Sequence, residues 1–473
     1  MFATTFLGHQ GWLFRTDKAA VIVDPLLCEE FGGIHALDYR VFPPRQWTPE
    51  AFPKLDAIIL SHEHDEHFDI PSLAKLHRDI PVYLSARSSF AARTILEQMG
   101  FTVHALAPGH SVRFADLEVT AFTGDHVGVN CGDEWDTLPF LVRSTEGHGS
   151  FFSMVDITIT QAHVEWAAAK AMRPGLISWT NNALDWSHMA DYLRERVEGT
   201  QQCFMTMGMG HKLIEQTWGT PQGMVMCAGG FAFTGDKAWM NERVFCVDTE
   251  QVCKLIGNVY KKEKFFSGVP GQTWTLKANK LASVEDRAPW LGTAPRSEWP
   301  TRGRGGGTPR DFTPATGTLA YDREKLEHGL AELAGTLVGG PLFRALSSVL
   351  DTECGDRKPT FAFVLLTDGA PVTYEYAPTA CAFVPATASP DSYIAGLECF
   401  ASDLAAVLAG EIGAIALTFG RSRVWHHLAG RIGFDPFSEM HRVSHPLRKP
   451  AAYLRTYERI WHSQRDVPPT LGH

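Results

Sequence analysis

At 473 residues the chain is too long for one ordinary hydrophobic core, and two or three domains are expected. Its 44% hydrophobic and 20% charged residues are the balance of a globular protein. No run is apolar enough, for long enough, to span a bilayer. A formal net charge of -10 argues against bulk attraction to nucleic acid or to an anionic membrane, while leaving room for a local basic pocket.

The first ten residues carry neither a basic stretch nor a continuous apolar run, so they read as the first strand of a fold rather than a signal peptide. Strands are expected at residues 4–7, 11–15 and 20–23, the last closed by Asp24 and Pro25. Residues 56–60 form an apolar strand that delivers the chain into a histidine-rich turn. Asp69, Ile70 and Pro71 look like a helix start, with a capping carboxylate and proline in the first turn, leading residues 72–77. A strand at 81–85, a helix at 88–99 and two strand pairs, 111–114 with 117–122 and 138–143 with 150–155, follow. Residues 161–172 read as a helix and 203–207 as a strand. Strands dominate and helices are interleaved, which makes a layered α/β sandwich.

Around residues 267–314 the texture changes, and the glycine-rich run from Thr301 to Arg310 reads as a linker or loop. A second globular segment is expected after it. Residues 321–350 read as helical, 360–367 and 372–376 as a hairpin, 381–385 as another strand, 392–408 as a helix and 414–419 as a strand ending at Gly420. The expected division is 1–265, a linker over 266–314, and a smaller α/β C-terminal domain over 315–473. The nine cysteines are scattered, odd in number and without a C-x-x-C pair. That pattern fits reduced thiols in a cytoplasmic protein better than a disulfide framework or a zinc ribbon.

Directly after the strand at 56–60 comes Ser61-His62-Glu63-His64-Asp65-Glu66-His67-Phe68-Asp69. Three imidazoles within six residues are too many for an ordinary solvated loop. A strand end and a tight turn let such side chains converge on one point, and imidazoles with carboxylates suit zinc, iron or manganese. Leu7-Gly8-His9-Gln10-Gly11, Val21-Ile22-Val23-Asp24-Pro25 and this histidine run resemble the metallo-β-lactamase superfamily, whose signature is H-x-H-x-D-H. The branch they look most like contains ascorbate-phosphate lactonase-like and N-acyl-phosphatidylethanolamine phospholipase-like enzymes. The resemblance covers roughly the first half of the chain. It implies an αββα metallo-β-lactamase-type sandwich with two divalent metal ions, zinc first, with iron or manganese as alternatives.

By that resemblance His62, His64 and His126 hold the first metal, Glu66, His67 and His211 hold the second, and Asp156 bridges them. Two positions depart from the pattern. Glu66 stands where the family has Asp, so that either its longer arm reaches the second metal or Asp65 replaces it. Val155 stands where a glycine usually precedes the bridging aspartate. Other residues have weaker claims. His9 is either an outer partner of the metal site or part of a packed turn, and Asp24 is an outer or turn carboxylate. His110 reads as a turn residue and His163 as an exposed helical one. His188, beside Trp186 and two asparagines, sits in a segment suited to contacting substrate or simply to the surface.

Competing chemistry is sparse. The glycine-rich run lacks the Lys-Ser/Thr of a phosphate loop, and no G-x-S-x-G elbow occurs. Residues 402–423 faintly resemble a sterol-carrier-type domain, set against an α/β domain that serves a homodimer or walls the active site. The expected function is a dinuclear hydrolase acting on an ester, lactone, amide or phosphodiester bond of a small molecule. The alternatives are a diiron oxygenase on the same fold and a non-catalytic carrier with a structural metal.

Overall fold

The structure, a computed structural model, describes the chain except for residues 35–38, 123–136, 158, 170–172, 181–196, 243–248, 261–263, 302–312, 339, 349–353, 419–420 and 428–435. The backbone alone is described for residues 197–206, 236, 242, 341, 345, 426 and 436–438.

Alternating side chains build the first half. Along Gly11–Arg15, Leu13 turns to one face of its sheet while Trp12 and Phe14 turn to the other, the period-two pattern of a strand buried on both sides. The eight-stranded sheet runs in the order Lys280–Glu285, Thr273–Lys277, Phe2–Gly8, Gly11–Arg15, Ala20–Val23, Ala57–Leu60, Val82–Ser85 and Val103–Leu106. It is antiparallel up to Ala20–Val23 and parallel from there onwards. A seven-stranded sheet, Ser111–Phe114, Leu117–Ala121, Phe140–Ser144, Ser150–Ser153, Leu176–Thr180, Gly223–Cys227 and Phe265–Ser267, changes in the same way after Ser150–Ser153.

The two sheets face each other across Trp12, Phe14, Phe140, Phe151, Val225 and Trp274. Helices cover both outer faces. Ile70–Ala74 and Phe90–Gln98 lie over the first sheet, and Gln161–Ala169, Val197–Trp218 and Thr249–Val259 over the second. This is the expected αββα sandwich. Its parallel strand ends all point one way, and loops at those ends are where side chains converge on a site.

A separate core organises the C-terminal part. Its five-stranded sheet runs Ala382–Ala386, Val372–Ala377, Lys358–Leu366, Tyr393–Phe400 and Ser422–His426, packed with helices Arg323–Leu337, Ala401–Leu408 and Pro436–Ser444.

The boundaries differ from expectation at both ends of the second unit. Thr273–Lys277 pairs with Phe2–Gly8 and Leu291–Thr293 pairs with Arg45–Trp47, so most of the supposed linker belongs to the sandwich. The final helix, Pro450–Gln464, returns to the first unit and buries Tyr453 and Tyr457 beside Leu73 and Phe68. Its register pairs Gln98 Nε2 with Glu458 Oε1 at 2.9 Å.

Four local expectations are also corrected. Residues 203–207 lie within helix Val197–Trp218, because a short apolar run rich in Met suits a helix as well as a strand. Residues 392–408 divide into buried strand Tyr393–Phe400 and helix Ala401–Leu408. The continuous apolar texture of a strand buried on both faces hid its period. Residues 414–419 contain the short helix Ile415–Thr418, and the strand follows it. Within residues 321–350 the helix stops at Leu337 and a second one begins at Pro341, where proline cannot continue a helical hydrogen-bond ladder.

Candidate metal centre

Strand Ala57–Leu60 ends at Ser61, and the histidine run then folds into a turn closed by backbone hydrogen bonds from His67 N and Phe68 N to His64 O, at 2.9 and 2.8 Å. Helix Ile70–Ala74 begins at once behind it. Asp69 caps that helix by accepting from Ser72 N at 2.9 Å, as its position before Ile70 and Pro71 foretold. The turn is thereby held between a strand and a helix. His62 and His67 are buried with ring centroids 4.2 Å apart, and His62 and His64 lie at 4.4 Å.

Asp156 comes to this turn from the opposite sheet, just after Ser150–Ser153. Its Oδ2 lies 2.8 Å from His67 Nε2 and 3.6 Å from His62 Nε2. Two groups of ligand-type atoms result, each with its members within 4.8 Å of one another: His62, His64 and Asp156 in one, and His9, Glu66 and His67 in the other.

The charges are organised around His67. Asp24 Oδ2 accepts from His67 Nδ1 at 2.7 Å, while Asp24 also takes hydrogen bonds from Ser61 N at 2.8 Å and Ser61 Oγ at 2.7 Å. Burial opposes protonation of His67, but Asp156 and Asp24 on either side raise its pKa well above the ordinary imidazole value. Burial likewise opposes the charge on Asp156, and the imidazoles of His67, His62 and His9 hold its pKa well below the carboxylate range. Glu66 is brought down to about 2 against its own burial by His9, His67 and His64. The cavity is thus a set of imidazoles and ionised carboxylates compensating each other, the donor set that divalent ions take.

Gln10 aims Asp156. Its Nε2 donates to Asp156 Oδ1 at 2.8 Å, and its Oε1 accepts from the buried Cys227 Sγ at 3.1 Å, which settles the orientation of the amide. Val155 adopts φ +55, the left-handed conformation that glycine would take there without strain. Its carbonyl is pinned by Thr180 Oγ1 at 2.6 Å and Gln10 Nε2 at 3.1 Å, and its amide donates to Ser153 Oγ at 3.1 Å. The backbone therefore follows the usual path and the side chain bears the cost.

Of the residues expected from the sequence, His62, His64, Glu66, His67 and Asp156 are brought together. Asp65 is not. It is buried, with 2% exposure, near Asp69, Tyr453 and Tyr457, whose protonation its charge influences. Of the two acidic positions, Glu66 joins a ligand group. His211 lies elsewhere. It sits on helix Val197–Trp218 with its ring 3.9 Å from Tyr260, and among the described residues it joins neither ligand group. His126 and His188 lie outside the described residues. His163 is buried rather than exposed, its Nδ1 accepting from Thr160 N at 3.1 Å at the start of its helix.

Two residues were undervalued by sequence reasoning. His9 belongs to the second ligand group, and Gln10 orients the aspartate between the groups. Both stand in the Leu7–Gly11 run already singled out, but nothing local shows which way a β-turn side chain points. Asp24, expected as an outer or turn carboxylate, hydrogen-bonds the Nδ1 of His67.

Residues 20–213 match the family described as beta-lactamase superfamily domain. The match falls within the sandwich that forms the first unit of the chain, which is similar to that family. Among solved structures, CmlA, a diiron beta-hydroxylase from Streptomyces venezuelae, is 16% identical over 58% of this chain and 54% of its own, with a TM-score of 0.39. The chain spans about half the length of that protein. An isothiocyanate hydrolase from Delia radicum gut bacteria is 13% identical, over 59% of this chain and 100% of its own, with a TM-score of 0.40. A metallo hydrolase from the archaeon Ignicoccus hospitalis is 13% identical, over 58% and 98%, with a TM-score of 0.36.

Proposed function

We propose that the protein is a dinuclear metal-dependent hydrolase acting on an ester, lactone, amide or phosphodiester bond of a small molecule. One observation carries this reading. The single carboxylate oxygen Asp156 Oδ2 approaches both His62 Nε2 and His67 Nε2, so one side chain joins the two ligand groups. A carboxylate shared by two imidazole groups is poorly suited to a lone structural ion and well suited to a pair.

When bound, two divalent ions supply a water molecule acidified towards neutral pH and polarise the oxygen of the scissile bond. His62, His64 and Asp156 would hold one of them, and Glu66, His67 and Asp156 the other. The chain's own contribution is positional. Asp24 fixes the plane and tautomer of His67, Gln10 fixes Asp156, and Glu63 ties the histidine turn to its surroundings through Ser89 Oγ at 2.7 Å and Tyr457 OH at 3.1 Å.

The second reading is a diiron oxygenase. It is supported by the carboxylates of Glu66 and Asp156 among the imidazoles, because mixed nitrogen and oxygen coordination suits iron as well as zinc. Metal analysis of purified protein, with hydrolysis assays on ester and phosphodiester probes and oxygen-uptake assays, separates the two. Zinc with hydrolysis supports the first reading, and two irons with oxygen consumption support the second. A protein that neither contains nor takes up metal sinks both. Among the described residues no helix is long and apolar enough to cross a membrane.

A further inference from the structure

His9 is held in an unusual way. It follows the strand Phe2–Gly8 at the turn into Gly11–Arg15, with φ +50, a conformation seen in few non-glycine residues. Gly8 before it takes φ +117, and a β-carbon on Gly230 would come within 2.6 Å of His9 Cα. The His9 carbonyl accepts from Ala228 N at 2.7 Å. Strained backbone locked on both sides persists when its side chain is needed in one place.

That side chain is buried, with 4% exposure, and among the described residues neither Nδ1 nor Nε2 has a hydrogen-bond partner. A buried imidazole nitrogen without a partner is unfavourable unless a ligand takes it up. The ring does not face apolar surroundings alone. Its Nε2 is 3.6 Å from Glu66 Oε1, which in turn lies 4.0 Å from His67 Nε2, and the His9 and His67 rings meet edge to face at 5.9 Å. These separations are too long for hydrogen bonds and suited to three donors surrounding one ion.

We propose that His9 is a direct ligand of the second metal, taking with Glu66 and His67 the place that the family pattern gives to His211. This assignment rests on the dinuclear reading above. It also accounts for the glutamate at position 66. The longer arm carries the carboxylate across to the His9 side, whereas His211 is stacked on Tyr260 in the helical layer. The ligand thus comes from the first turn of the fold rather than from a late loop.

The test uses the full chain, stripped of metal and reloaded with zinc, and counts bound metal by elemental analysis and titration calorimetry. His9→Asn and His9→Gly both tolerate a left-handed backbone, so the fold is expected to survive, as thermal unfolding will show. Wild type should hold two zinc ions. Both His9 variants should retain one, with the second weakened by more than the roughly 10- to 100-fold that loss of an outer partner costs. His211→Ala should keep two. Two tightly held ions in both His9 variants would overturn the assignment while leaving the dinuclear reading intact. Loss of the second ion in His211→Ala, with the His9 variants unaffected, would return that place to His211. A wild-type chain that takes up no zinc, iron or manganese overturns the dinuclear reading itself.

Discussion

The carboxylate of Asp24 and the imidazole of His67, 43 residues apart in the chain, share a hydrogen bond of 2.7 Å with both side chains fully buried. Because Nδ1 is engaged by Asp24, only Nε2 is left to point at Asp156 or at a metal. Replacing Asp24 by Asn keeps an acceptor and suits the left-handed φ of +48 at this position, but removes the charge. Asp24→Asn sets an amide NH2 against one of the donors from Ser61 and His67, so it should lower stability by about 1–3 kcal/mol and bind metal at the His67 group about 10- to 100-fold more weakly. Competition with a coloured chelator measures this, and an unchanged affinity would show that Asp24 acts only as a turn residue.

Val155 gives a sharper test of backbone strain than of chemistry. At most positions glycine is less stable than alanine by about 0.5–1 kcal/mol, because it loses more freedom on folding. At φ +55 an alanine carries a left-handed penalty of about 1–2 kcal/mol that glycine escapes. Val155→Gly should thus be as stable as Val155→Ala or more so, by up to about 1 kcal/mol in urea unfolding. Alanine proving clearly the better of the two would mean that the strain is absent.

Tyr457 connects the end of the chain to the metal turn. Its hydroxyl donates to Glu63 Oε2 at 3.1 Å, and Glu63, whose pKa burial pushes up, also receives Ser89 N and Oγ. Tyr457→Phe removes one bond to a buried carboxyl without removing the ring, and should cost about 1–3 kcal/mol. The urea midpoint should fall while zinc stoichiometry stays at the wild-type value. A midpoint within error of wild type would show that the C-terminal helix contributes packing alone.

Metal removal should lower stability without unfolding the chain. The sandwich has its own inter-sheet core of Trp12, Phe14, Phe140, Phe151 and Trp274, each such side chain contributing about 1.5–3 kcal/mol when buried. A ligand present at a thousand times its Kd adds only about 4 kcal/mol. The stripped protein should keep its circular-dichroism spectrum and lose several degrees of Tm, regained on adding zinc. Collapse of the spectrum on stripping would mean that the metals organise the fold.

Residue chemistry and short-range pattern in the sequence were enough to expect the sandwich, the metal turn, and Asp69 and Asp24 in their supporting parts. Three histidines after an apolar strand are a local signal, and a strand followed by a tight turn has few ways to fold. Asp156 was legible through the resemblance, as the aspartate that follows the strand at 150–155. What the sequence left open was decided by contacts between residues far apart. Which of Asp65 and Glu66 faces the site depends on how the turn seats against Ile70–Ala74 and the C-terminal helix. Placing His211 beside Tyr260 took the packing of two helices over the second sheet, and placing His9 opposite Glu66 took the lateral assembly of strands far apart in the chain within the first. The linker became strands because Thr273–Lys277 found Phe2–Gly8 more than 260 residues away, a pairing with no local signature.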